Sequence, residues 1–124
     1  MSSHSAIATF CESLGIPLSP IGLSLPLALE FERSGTLRLE ENGAGGYWLT
    51  LAREVPLHRR GVAAAVLRAA HPDRSMPLRV KAGFHGDETL VLMTGLAKEV
   101  ADAPAIASAL RMLVRLADEV DSER

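Results

Sequence analysis

From Leu27 onward the chain adopts a two-residue hydrophobic period. Leu27, Leu29 and Phe31 are interleaved with Ala28, Glu30 and Glu32, and after Ser34-Gly35 the alternation resumes as Leu37 and Leu39 against Arg38 and Glu40. A period of two sends alternate side chains to opposite faces of a strand, so this stretch predicts a β-hairpin turned at Ser34-Gly35. Asn42-Gly43-Ala44-Gly45-Gly46 predicts a second turn and Tyr47 to Arg53 a third strand, completing an antiparallel meander. Leu78, Val80, Ala82 and Phe84 alternate with Arg79, Lys81 and Gly83. His85-Gly86-Asp87-Glu88 then turns the chain into Thr89 to Thr94, which predicts two further strands.

The segments around these strands change to a helical period. Ile7, Phe10, Cys11 and Leu14 fall on one stripe of a helix over about residues 5 to 14. Ile16 to Pro26 carries prolines at 17, 20 and 26, each lacking a backbone donor, and predicts an extended connector. A second helix is expected from Leu57 or His58 to Ala70, ended by Pro72. A last helix begins near Pro104 with Ile106, Leu110, Leu113, Ala117 and Val120 on one stripe. The order α-β-β-β-α-β-β-α, with helices on one side of a twisted, mainly antiparallel sheet, is an α+β fold. At 124 residues the chain fits one domain, residues 1–124, ordered over about 6–120 with a frayed C-terminal tail.

Composition removes several function classes. Thirteen basic and fifteen acidic side chains give a formal charge of −2 with no basic run, which supplies no electrostatic footprint for nucleic acid. One cysteine permits no internal disulfide and fits a reducing compartment. Met1 to Ser5 does not read as a secretory signal, and no apolar run approaches the roughly 20 residues of a membrane span. A cytoplasmic location is expected.

Groups able to carry chemistry are sparse. Cys11 lies on the apolar stripe of the first helix, where a free thiol behaves as a small hydrophobe. No pair among His4, His58, His71 and His85 has i, i+4 spacing, and no carboxylate cluster accompanies them, so no metal site is expected. Gly43-Ala44-Gly45-Gly46 joins two expected strands instead of opening a helix, which phosphate loops require. Glu40-Glu41 and Asp87-Glu88 point to opposite faces where extended. No catalytic residue and no cofactor are expected.

Apolar surface is in surplus. Counting glycine, the apolar share exceeds the roughly 45–50% usual of soluble domains. In the second helix Val62, Ala65, Val66 and Ala69 form one stripe and Ala63, Leu67 and Ala70 another. A helix apolar on two sides needs cover on both, and in a small domain a second subunit supplies it; the competing reading is that alanine simply favours helix. In the strands, Trp48, Thr50 and Ala52 lie opposite Leu49 and Leu51, as Val91 and Met93 lie opposite Leu90 and Leu92. The second sheet face is therefore either a partner surface or the seat of another helix of this chain.

Phe10 to Gly15 and the hairpin Leu27 to Glu40 resemble the class I chaperones of bacterial type III secretion. Leu78 to Leu96 and Ala109 to Leu116 resemble the SycN family of that class, and the likeness spans about residues 6 to 120. It implies a non-enzymatic subunit that pairs with a YscB-like second chaperone. The heterodimer would bind the N-terminal region of a YopN-like secreted gatekeeper, keep it secretion-competent and help time secretion, with peripheral association with the secretion apparatus at the inner membrane. Chaperones of this class are often strongly acidic; this chain, with a sequence pI near 6.1, departs from that pattern.

A disordered client segment is expected to lay apolar anchors on the first helix and the sheet, with contacts among Ile7, Phe10, Leu29, Phe31, Leu37, Leu39 and Trp48, some of which must belong to the core. The subunit seam is expected on the second helix and fourth strand at Val62, Val66, Leu67, Leu78 and Val80. A homodimeric effector chaperone, a scaffold subunit of the secretion base and an unrecognised enzyme are the alternatives.

Overall fold

The computed structural model describes residues 4–16, 25–71 and 78–122. Over these residues the order is α1 (His4–Ser13), β1 (Leu27–Phe31), β2 (Gly35–Glu41), β3 (Tyr47–Glu54), α2 (Val62–Ala69), β4 (Val80–His85), β5 (Thr89–Leu96) and α3 (Ala103–Asp121). The α-β-β-β-α-β-β-α order and the α+β class match those expected. A short 3-10 turn at Lys98–Val100 joins β5 to α3. Most of the connector 16–26 and the last two residues lie outside the described residues.

The five strands form one sheet in the order β1-β2-β3-β5-β4, with every neighbouring pair antiparallel. Register aligns Leu29, Leu37, Leu51, Leu92 and Ala82 in one row and Leu39, Leu49, Thr94 and Val80 in the next. The two-residue period puts both rows on one face, and the helices cover that face. α3 packs across β3 and β5, with α1 and α2 beside it, and α2 also reaches the edge strand β4. Its expected stripe, Ile106, Leu110, Leu113, Ala117 and Val120, is buried throughout. Asp102 caps the start of α3, its carboxylate accepting from the Ala105 amide at 2.9 Å, and proline sits in the first turn.

Two boundaries differ from expectation for identifiable backbone reasons. The hairpin turns over 32–34, and Gly35 opens β2 opposite Phe31. Its φ is +112°, and a Cβ there would collide with the Ala52 carbonyl oxygen. The second helix starts at Val62, later than Leu57 or His58. Beyond β3 the Val55 and Leu57 amides still pair with the Glu88 and Asp87 carbonyls, both at 2.8 Å, so the chain stays sheet-like past the end of β3. Gly61, at φ +84°, then sits at the helix N-cap.

Candidate binding surfaces

The two faces of the sheet divide the expected client contacts. Ile7 and Phe10 of α1 and Leu37 and Leu39 of β2 are at most 1% exposed, and Leu29 is also buried. Phe31 is half-buried against the same core. These six side chains point into the helix layer and are consumed by the chain's own packing, which an apolar stripe in the sequence does not distinguish from a docking stripe. Trp48 alone of the seven faces the other way and is 39% exposed.

Around Trp48, register sets Gly95 opposite on β5, then Thr50 beside Met93 and Lys81, then Ala52 beside Val91 and Gly83. Val91, Met93, Thr50 and Ala52 are half-buried, while Lys81 and Gly83 are exposed. A shallow hollow of about 350 Å³ opens here, bounded by Lys81, Gly83, Phe84, Val91 and Met93. On the β2 side, Arg38 and Glu40 pair at 2.9 Å across exposed surface. The helices lie against the opposite face, so among the described residues this face carries apolar groups without a helix of the chain above them.

The five expected seam residues also separate. Val62 is fully buried and Val66 and Val80 nearly so, all in the core. Leu78 is half-buried against it. Leu67 is 73% exposed, and Ala63 and Ala64 on the outer side of α2 are exposed with it. The first stripe of α2 therefore faces inward, and the second, led by Leu67, faces out.

One ionic cluster was not anticipated. Arg53 continues the inward set Leu49 and Leu51 of β3 and is buried. Its Nε donates to the Ser34 carbonyl at 3.0 Å and its guanidinium to Asp118 at 2.7 Å. Arg59 donates to the Asp121 carboxylate at 2.8 Å and to its carbonyl oxygen at 2.7 Å. The pairs tie the first hairpin and the loop before α2 to the last turn of α3, where a cation also suits the helix dipole. An arginine at an inward strand position, with Asp118 and Asp121 three apart on a later helix, was the available signal. Asp118 is 65% exposed, so solvent screens its pair with Arg53 and the role is positional.

Among the described residues, the groups able to carry chemistry stand apart from one another. Cys11 is buried and desolvation pushes its thiol pKa up, opposite to what a nucleophile needs. His58, His71 and His85 are exposed, and among the described residues no cluster of His, Cys, Asp or Glu could hold a metal ion. The glycine-rich loop joins β2 to β3 and is organised by Asn42, whose side-chain oxygen accepts from the Ala44 and Gly46 amides at 2.9 and 3.1 Å. No helix among the described residues is long and apolar enough to cross a membrane.

Comparison with known proteins finds relatives of this chain in sequence and in fold. The curated chaperone protein SycN of Yersinia enterocolitica serotype O:8 is 40% identical over 117 residues, covering 92% of each chain. The fold matches the Yersinia pestis type III secretion chaperone SycH, solved in complex with a stable fragment of YscM2, at TM-score 0.66 and 16% identity over 99% of this chain and 100% of that one. A chain of the HopA1-SchA chaperone-effector complex matches at TM-score 0.62 and 10% identity, over 95% of this chain and 92% of that one. The model of the type III secretory system chaperone SycN family matches residues 3–121, and the chain belongs to that family.

Proposed function

We propose that this type III secretion chaperone pairs with a YscB-like second chaperone and that the pair holds the N-terminal region of a YopN-like secreted gatekeeper, keeping it secretion-competent and regulating its release. It acts by binding alone, in the cytoplasm and at the cytoplasmic side of the inner membrane while the client is handed to the secretion apparatus. The observation that carries the client half is the apolar sheet face around Trp48, which no helix among the described residues covers. The curated SycN relatives and the chaperone-effector complex of the same fold support it. The partner half rests on the outward apolar stripe of α2 with Leu78 beside β4.

Ordering a disordered client costs about 2–5 kcal/mol or more, so a few well-buried anchors must carry the affinity. A tryptophan on a sheet face suits that role, because large aromatic side chains dominate such interfaces. In a co-expressed complex, Trp48→Asp is expected to weaken binding of the gatekeeper's N-terminal region at least about 30-fold by calorimetry while the chaperone pair stays intact. Client affinity equal to wild type in that variant would remove the open face as the client site.

A further inference from the structure

Little in its own sequence fixes where α2 sits. It has eight residues, and a helix so short is marginal unless its surroundings hold it. Gly61, its N-cap, has no side chain with which to cap it, and its first turn carries no acidic residue. Val62, Ala65, Val66 and Ala69 face inward, but two of the four are alanines, whose short side chains make shallow ridges and hold axial position weakly. The loop before the helix supplies what these lack, because it is pinned twice. At its start the Val55 and Leu57 amides pair with the β4–β5 turn. At its end Arg59 donates from Nη2 to the Asp121 carboxylate and to the Asp121 carbonyl oxygen, at 2.8 and 2.7 Å. The Arg59 carbonyl in turn accepts from the Val62 amide at 3.2 Å. One residue thus joins the first turn of α2 to the last residue of α3.

The cluster is not built for the stability of the chain alone. Arg53 takes an inward position on β3, and the Arg59 Nε is buried without a hydrogen-bond partner among the described residues. An orphan buried donor costs stability, and ion pairs withdrawn from water add little net; their best-attested use is to fix the register of one element on another. The two arginines are also separable. Arg53 donates to Ser34 and Asp118 and lies 3.7 Å from Asp121, whereas among the described residues both acceptors of the Arg59 guanidinium belong to Asp121.

Resting on the reading of the outward side of α2 as the partner seam, we propose that Asp121 is a positioning residue for partner recognition. Through Arg59 it holds α2 in one place relative to β4, so that Leu67 and Leu78 meet the second chaperone as a preset surface. Where α2 occupies that place only part of the time, the apparent dissociation constant of the pair rises by the inverse of that fraction. Asp121 is partly exposed, so the effect is several-fold and not all-or-none.

The test uses the co-expressed chaperone pair, labelled for energy transfer between its two chains and diluted through its dissociation midpoint. Asp121→Asn removes the charge and keeps the shape and the main-chain carbonyl. It is expected to raise the dissociation constant about fivefold. Amide exchange in the pair should quicken over residues 59–69 and stay at wild type over α3 and the sheet. Asp121→Glu, which keeps the charge, should recover most of the affinity. Arg59→Gln should cost as much as Asp121→Asn, and the two together no more than either.

Wild-type affinity in either single variant overturns the proposal, including where the other folds poorly. Additive losses in the double variant also overturn it, because Asp121 would then not act through Arg59. Faster exchange across α3 and the sheet would assign the cluster to the stability of the whole domain instead. Leu67→Asp separates this proposal from the reading beneath it: a pair dispersed by that variant keeps the seam on α2 whatever Asp121→Asn does, and a pair that survives it removes both.

Discussion

Cys11 and Arg53 are both buried in the helix layer, and the chemistry around each decides what burial does to it. Arg53 donates to a carbonyl and to a carboxylate, so its buried guanidinium has hydrogen-bond partners. Cys11 sits among apolar groups, and desolvation raises its thiol pKa. The unfolded thiol then loses its proton at a lower pH than the folded one. Stability is fully present below the unfolded value of about 8.5 and declines as pH rises through it toward the folded pKa. Denaturation midpoints of the purified chaperone pair measured between about pH 7 and pH 10 should therefore fall more steeply for wild type than for Cys11→Ala, whose cavity cost is a pH-independent offset. Parallel slopes would show that the thiol titrates alike in both states.

The outward stripe of α2 makes the seam testable without touching the core. Val66 faces inward, so Val66→Asp would bury an unpaired carboxylate and unfold the chain whatever its partner does. Leu67 is 73% exposed, so Leu67→Asp should change the chain's own stability by no more than about 0.5 kcal/mol while dispersing the chaperone pair in light scattering. An intact pair in that variant would place the seam elsewhere. The same helix shows what the sequence can and cannot say. Strand alternation and the α3 stripe gave the order and the inward faces, because a period of two or 3.6 follows directly from side-chain direction. The start of α2 was misplaced because pairing of Val55 and Leu57 with the β4–β5 turn is a tertiary contact with no local signature. The client candidates on α1 and β2 proved to be core for a related reason: periodicity marks an apolar stripe and is silent on what covers it.

At the scale of the fold, the helices among the described residues occupy one face of the sheet, so the outward side of α2 and the face around Trp48 lie on opposite sides of it. A partner on α2 and a client on the sheet can therefore bind together, and each leaves apolar surface in water when absent. Isolated, the chain should self-associate, whereas co-expression with the YscB-like chaperone should give a discrete complex by light scattering. Under the proposed pairing, a partner that binds the folded chain and not the unfolded one adds about 1.4 kcal/mol for each tenfold rise in its free concentration above the dissociation constant. For a domain of this size that is several degrees in the thermal midpoint. The midpoint of the pair should accordingly climb with concentration over a hundredfold range, and the client segment should raise it further. A monodisperse isolated chain with a concentration-independent midpoint would mean that the apolar stripe of α2 is tolerated surface, as alanine-rich helices allow, and that the partner meets the chain through another element.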